Sequence, residues 1–307
     1  GRCGFGGGTP VADFALENAD LILAAGCTIS DMTTYEFTLP VRAEVITVNL
    51  DSEQNLPGIA LKKALIADAG TFLDGAVTAC GYDKAPARSE WFAMFEQPKK
   101  MWRQLVENNV NPKKKPLSPG FVCREIAKYM EDGDIVTVGA GMHLLYPMAH
   151  IECRAPRTFL SAVNFGAMGF GLAAGIAAKL LKPETKVVTI IGDGDVMMTF
   201  QDIETAVREK IPMKMFILND NAYRVLLFRQ KIQFTGRILG TTHGNPDFAR
   251  LADAFGARGV RLEEPDDVEP AVREAMETEE PTIVDVIIDP EDVAPTNMQA
   301  VLRMSQG

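Results

Sequence analysis

Four continuous apolar, β-branched runs constrain what this chain can fold into: Asp134–Val138, Val187–Ile191, Met213–Leu218 and Thr282–Ile288. A strand with one wet face alternates polar and apolar residues, whereas a strand covered on both faces is apolar nearly throughout, as in parallel sheets flanked by helices. Helix-period stretches separate these runs: Gly169–Leu181 (rich in Gly and Ala, hence closely packed), Val196–Arg208, Asp247–Phe255 and Asp266–Glu277. Such alternation predicts βαβ units and a doubly wound parallel sheet. Its opening is marked by Ser118-Pro119, a Ser N-cap with Pro at the first helical position. Residues 118–290 therefore read as a complete α/β domain.

Upstream the same pattern is weaker. Leu21–Ala25, Val45–Leu50 and Ala64–Ala67 read as strands, with Pro10–Asn18 and Thr71–Ala79 as helices, so residues 1–85 form part of an α/β domain. Residues 86–117 include both tryptophans, Trp91 and Trp102, and end in the Pro-Lys-rich segment Asn111–Pro119; they read as a helical linker, and 291–307 as a C-terminal tail.

Charge and cysteine use narrow the function. A net charge of -10 argues against a nucleic-acid-binding surface, which needs clustered cations to displace counterions, and Lys113–Lys115 between prolines reads as solvated linker. No apolar run approaches the ~20 residues of a membrane span. Five cysteines, odd in number and without a C-x-x-C pair, fit reduced thiols in a cytoplasmic compartment. The chain opens with Gly1-Arg2-Cys3-Gly4, not with a charged and then apolar leader, and reads as beginning partway through a domain.

Ligands of open parallel sheets sit at the carboxyl ends of the strands. Three loops there are unusual: Gly139-Ala-Gly141-Met142-His143 after the first strand, Gly192-Asp193-Gly194-Asp195 after the second, and Asn219-Asp220-Asn221-Ala222-Tyr223 after the third. Glycines admit a phosphate close to backbone, and a helix N-terminus favours an anion. Asp193 and Asp220 are hard oxygen ligands suited to Mg²⁺, which takes one or two carboxylates and completes its shell with phosphates and water. Alone, a Gly-Asp-Gly is usually a tight turn and an Asn-Asp-Asn an Asx turn. Their conjunction after two buried strands, with one helical segment between, points to a metal–diphosphate site.

Gly192-Asp193-Gly194, followed 27 positions after Asp193 by Asp220, resembles the thiamin-diphosphate motif of the acetolactate synthase and pyruvate decarboxylase superfamily. The resemblance implies a thiamin diphosphate (ThDP) diphosphate-binding domain, preceded by part of a Rossmann-like central domain to which Asn18–Gly26 and Val45–Asp51 are similar. It implies that Asp193, Asp220 and the carbonyl of Ala222 hold Mg²⁺, and that Gly192, Gly194 and Asp195 belong to the cofactor loop. Asn164-Phe-Gly166-Ala-Met168 resembles the segment whose Met lies under the cofactor. Met168 would then enforce its bent conformation as the catalytic support, and the Gly166 carbonyl would accept from the aminopyrimidine. Gly141-Met142-His143 matches the diphosphate-contacting loop, and Asn245–Ala249 a downstream helix of structural role.

Departures from the family pattern are informative. Asp220 stands where the family usually has Asn, and the added charge is expected to strengthen the dication site. Arg224 replaces the usual Gly and Arg229 a usual Trp; with Lys231 they could meet an acidic or CoA-bearing substrate. Met32 falls where an Arg contacts FAD in acetolactate synthases, which leaves FAD without support. The glutamate that activates the cofactor lies on a pyrimidine-binding domain, usually of a partner subunit, and this chain offers no candidate for it. The reading is a ThDP- and Mg²⁺-dependent lyase or carboligase acting on a 2-oxo acid or 2-hydroxyacyl compound, needing a pyrimidine-binding domain or subunit and forming a homo- or hetero-oligomer. The alternatives are a non-catalytic nucleotide- or dinucleotide-binding subunit and a regulatory relative of such enzymes. Against the former, Gly139-x-Gly141 lacks a third glycine, and Gly166-x-x-Gly169-x-Gly171 reverses the dinucleotide spacing.

Overall fold

The strands of the region after residue 118 are Ile135–Val138 (β4), Phe159–Ser161 (β5), Val187–Gly192 (β6), Lys214–Asn219 (β7), Arg258–Leu262 (β8) and Thr282–Ile287 (β9). All pair in parallel, in the order β5-β4-β6-β7-β9-β8. A computed structural model describes residues 2–4, 7–51, 59–81, 87–162, 165–298 and 302. It divides into two units, Gly1–Gln104 with Thr296–Gly307, and Leu105–Pro295. The six-stranded sheet belongs to the second.

Continuous apolar sequence in its central strands has the consequence expected: both faces are covered. Phe216 and Leu218 of β7 face one core, with Val136, Val138, Val188, Ile190, Val284 and Val286. Met215 and Ile217 face the other, with Ile191 and Ile283. Helices Pro119–Ala127 (α5), Leu145–His150 (α6) and Val268–Glu277 (α12) fill the first side, and Phe170–Leu181 (α7), Ile203–Arg208 (α9) and Phe248–Ala254 (α11) the second. Each fully buried Val, Leu or Ile contributes roughly 1.5–3 kcal/mol through removal of apolar surface from water. Ser118 caps α5, its hydroxyl accepting from the Phe121 N–H, with Pro119 in the first turn.

Small residues bring α7 close to the sheet. A Cβ on Gly175 would lie 2.2 Å from Thr189 Oγ1, and one on Gly171 2.8 Å from the Gly139 nitrogen. The Thr137 hydroxyl donates to the Gly171 carbonyl at 2.9 Å. This close seat sets the ends of β4 and β6 against the start of α7.

Three details depart from the sequence reading. β5 and β8 were not expected: β5 is three residues long, and β8, an edge strand carrying Arg258 and Arg261, lacks the apolar run of its neighbours. Helix 196–208 is broken into Asp193–Val196 (α8), a 3₁₀ turn at Phe200–Asp202 and α9. At the break Thr199 adopts φ -141° and donates its hydroxyl to the Gly169 carbonyl, 3.1 Å away, a tether thirty residues distant that local periodicity does not report.

In the first unit Leu21–Ala25 (β1), Glu44–Asn49 (β2) and Leu61–Ile66 (β3) form a parallel sheet in sequence order, with helices Pro10–Asn18 (α1) and Ala69–Cys80 (α2). Asp13 of α1 is buried and accepts from the Tyr35 hydroxyl at 2.7 Å and from Asn297 Nδ2 at 2.6 Å. Helices Ser89–Met94 (α3) and Glu96–Asn108 (α4) follow, and the division between the units falls within α4. Among the described residues no helix is long and apolar enough to cross a membrane. Gly1, Phe5, Gly6, Asn164 and, save for Leu302, residues 299–307 lie outside the described residues.

Candidate active site

From β4 the chain passes to β5 on one side, while β6 leads on to β7 on the other, so the connections diverge at the carboxyl ends of β4 and β6. Divergence of this kind opens the crevice in which doubly wound sheets bind ligands. In register, Val138 pairs with Ile190, and Gly192 with Leu218. Asp193 and Asp220 consequently emerge just beyond the ends of neighbouring strands.

Their loops are stitched together. Asn221 sits in the left-handed region at φ 59°, where Asn is among the better-tolerated side chains, and its N–H donates to Asp193 Oδ2 at 2.7 Å. Asn245 Nδ2 donates to the same oxygen at 2.7 Å and to Asn219 Oδ1 at 2.8 Å. Asn219 in turn donates to Asp285 Oδ1 at 2.8 Å, and Asp285 Oδ2 accepts from Arg261 at 2.9 Å. A polar chain thus crosses β7, β9 and β8 beneath the loop and fixes the Asp193 carboxylate. Asp285 is fully buried and its pKa is raised, chiefly by that burial, with Asn219 and Arg261 opposing.

Asp220 Oδ1 accepts from the Ala222 N–H at 3.1 Å, and Oδ2 is paired with the Arg224 guanidinium. Burial pushes the Asp220 carboxyl above the ordinary carboxylate range; Arg224 pulls it down, and the Asp193 charge pushes it up again. The two acids therefore sense each other electrostatically, and a dication would relieve that repulsion. The carboxylate that stands here in place of the usual Asn is thus paired with the Arg224 guanidinium. Arg224, at the start of helix Arg224–Gln233 (α10), is not open to an acidic substrate, since Asp220 engages it and its side chain is 16% exposed; Lys231 of the same helix lies 3.6 Å from Glu291.

Ala222 is buried and bridges antiparallel to Thr242, with Tyr223 N–H donating to the Thr241 carbonyl and His243 N–H to the Asn221 carbonyl. Tyr223 and His243 pack ring to ring at 4.6 Å over Gly194, where a Cβ would lie 2.5 Å from Tyr223 Cε1. Gly194 is thus a place of close backbone approach.

Around the β4 loop the side chains turn inward. Met142 packs against the core. His143, 8% exposed, is wedged between Gly141 and Gly192, where added Cβ atoms would lie 2.8 and 2.6 Å from its Nδ1. Its Nε2 stands 3.2 Å from Asp195 Oδ2. Asp195 is buried, and its Oδ1 accepts from the Gly169 N–H. With Thr199 on the Gly169 carbonyl, Asp195 anchors the backbone beside Met168. Gly166, at φ 70°, has open space where a Cβ would stand, and Met168 is 37% exposed.

The residues present fit a metal–diphosphate ligand. Two carboxylates converge, yet among the described residues no group of three His, Cys, Asp or Glu side chains is arranged to hold a metal. A cation here would complete its shell with carbonyl, water and phosphate oxygens, as Mg²⁺ does. Buried His243 Nε2 and Asn245 Oδ1, beside Gly194 and Asp193, make no hydrogen bond within the protein, so polar capacity is left over next to the two acids. His243 is not singled out in the sequence, and Tyr223 is named only as part of the β7 loop. Asn245 lies in a segment read as a structural helix start, and only Asp247 acts as that cap.

Residues 139–286 match the family described as thiamine pyrophosphate enzyme, C-terminal TPP binding domain, and this part of the chain is a domain of the thiamin-diphosphate enzyme class. Within that class the chain is similar to acetolactate synthases. It is 30% identical over 295 residues to the acetolactate synthase catalytic subunit, mitochondrial, of Saccharomyces cerevisiae. Identity is 27% over 301 residues to the probable acetolactate synthase large subunit of Methanococcus aeolicus, and 29% over 288 residues to the acetolactate synthase isozyme 2 large subunit of Escherichia coli. These alignments cover 92% of this chain but 42%, 49% and 50% of the respective relatives, so the chain spans about half the length of the curated relatives it matches.

Proposed function

We propose that this chain supplies the diphosphate and Mg²⁺ half of the cofactor site in an acetolactate synthase-like lyase or carboligase acting on a 2-oxo acid or 2-hydroxyacyl compound. The observation that carries the reading is the convergence of Asp193 and Asp220 at the ends of paired strands β6 and β7, stitched by the Asn221 N–H. When bound, thiamin diphosphate supplies a nucleophilic carbon and an electron sink.

In this reading Asp193, Asp220 and the Ala222 carbonyl hold the cation. Gly141, Met142, His143, Gly192, Gly194 and Asp195 form the diphosphate loops. His143 and Asp195 do so by locking the loops together, because both side chains are buried between them. Met168 supports the cofactor, with Gly166 contributing its carbonyl, on a backbone that Asp195 and Thr199 hold in place. Residues 118–290 are assigned as the cofactor domain, 1–85 as part of a central domain, 86–117 as a linker and 291–307 as a tail. A pyrimidine-binding domain or subunit completes the site, in an oligomer within a cytoplasmic compartment that keeps the free cysteines reduced.

Native mass spectrometry with ThDP and Mg²⁺ tests the reading. The expected result is a ThDP–Mg adduct that disappears with EDTA and is lost in Asp193→Ala. Retention of Mg²⁺-dependent binding by Asp193→Ala would remove the metal assignment.

A further inference from the structure

The ion pair between Asp220 and Arg224 has a role of its own, and the inference rests on the cation-site reading above. Arg224 is anchored on both sides. Its Nε and Nη2 meet Asp220 Oδ2, while Nη1 donates to the Asp292 carbonyl at 3.2 Å and Nη2 to the Asp289 carbonyl at 3.3 Å. The 289–292 turn is itself held: Lys114 Nζ lies 2.7 Å from Asp289 Oδ2 and 2.9 Å from Asp292 Oδ2, and Asn109 and the Tyr146 hydroxyl donate to Asp292 Oδ1. With side chains 16% and 6% exposed, guanidinium and carboxylate face each other largely out of water, where charge is weakly screened. Asp193, by contrast, accepts from two neutral donors, the Asn221 N–H and Asn245 Nδ2.

We propose that Arg224 sets the charge of the cation site: it neutralises Asp220, so that the pair meets the metal as a neutral oxygen donor while Asp193 carries the uncompensated charge. Arg224 is a positioning residue that acts through Asp220, without touching the metal. An Asp at position 220 without a cation at 224 would place two uncompensated carboxylates in one buried crevice; an Arg at 224 without the acid would leave a fixed positive charge beside the dication.

The test is a double-variant cycle on the full chain, titrating Mn²⁺ by electron paramagnetic resonance with ThDP present. Outer-shell partners of metal ligands change affinity by about tenfold or more. Arg224→Gln is therefore expected to tighten Mn²⁺ binding by about tenfold, Asp220→Asn to weaken it comparably, and the double variant to return close to the unaltered chain. Arg224→Lys keeps the charge and should leave the affinity near that of the unaltered chain. A merely structural Arg224 would instead give unchanged affinity in Arg224→Gln and a double variant as weak as Asp220→Asn, and either result overturns the proposal. Asp193→Asn separates the two readings. Loss of Mn²⁺ binding there confirms the site in which the cycle is read; binding equal to that of the unaltered chain, or none in the unaltered chain, overturns the cation-site reading and this inference with it.

Discussion

Replacing Gly139 by alanine tests the most tightly determined contact in the site. A Cβ at 139 would lie 1.7 Å from Asp195 Oδ2 and 2.6 Å from Asp195 Cγ, with Ile191 Cγ1 at 3.0 Å behind. Cβ contacts below 3.0 Å essentially never occur, so the carboxylate must retreat by more than an ångström. It has nowhere to go without loss: Asp195 is 3% exposed, holds the Gly169 N–H and stands against His143. Breaking a charged, buried hydrogen bond costs about 1.5–3 kcal/mol, and overpacking a closed interior costs typically 1–3 kcal/mol more. Gly139→Ala should thus destabilise the Leu105–Pro295 unit by about 2.5–6 kcal/mol on that reasoning. Urea denaturation followed by far-ultraviolet circular dichroism measures the loss. Asp195→Ala removes the obstructing carboxylate, so in that background Gly139→Ala should cost less than about 1 kcal/mol, a coupling that only direct contact produces. A single Gly139→Ala within about 1 kcal/mol of the unaltered chain, or strict additivity with Asp195→Ala, would refute the argument.

Two further expectations follow from other parts of the molecule. Met168→Ala should leave ThDP affinity largely intact while slowing exchange of the cofactor C2 proton in the assembled enzyme; unaltered exchange would show Met168 to be packing alone. His150 bonds Asn109 Oδ1 at 3.0 Å, and burial, with the Arg124 charge adding to it, lowers its pKa from 6.5 to about 4. The unfolded chain then takes up a proton that the native state refuses, so stability is complete above about pH 6.5 and falls as pH drops toward 4, by on the order of 2 kcal/mol. His150→Gln should flatten that part of the stability curve, and a slope unchanged by the substitution would place the titration elsewhere.

The sheet and the principal acids were legible in the sequence for a single reason: β4, β6, β7 and β9 are covered on both faces, and burial on both faces writes an unbroken apolar run. Where burial is partial the signal fades. β8 sits at an edge with Arg261 half outside, and β5 has only three residues in which to show a pattern. The break at Thr199 was hidden because its cause is a hydrogen bond to Gly169, remote in sequence. Position along a strand told which loops lie together at the carboxyl ends of β4, β6 and β7. Direction of a side chain from a loop did not follow, because a loop has no period. Asn245, two residues before a helix cap, therefore looked structural although it holds Asp193.

The Gly192–Asp195 loop shows what this difference means chemically. Asp193 and Asp195 are two residues apart on one short helical turn, and the sequence reading assigns the first to the metal and the second to the cofactor loop. The structure separates them by partner. Asp193 receives its hydrogen bonds from the β7 loop and from Asn245, on the side where Asp220 lies. Asp195 points back beneath Gly139, between His143 and the Gly169 N–H, and closes the β4 loop onto the start of α7. One carboxylate thus lies toward the β7 loop while the other ties the β4 loop to the start of α7. Under the proposed function the two acids would fail differently: Asp193→Ala is expected to remove a metal ligand and leave the loops in place, whereas Asp195→Ala is expected to release the β4 loop and, through Gly169, the backbone beside Met168.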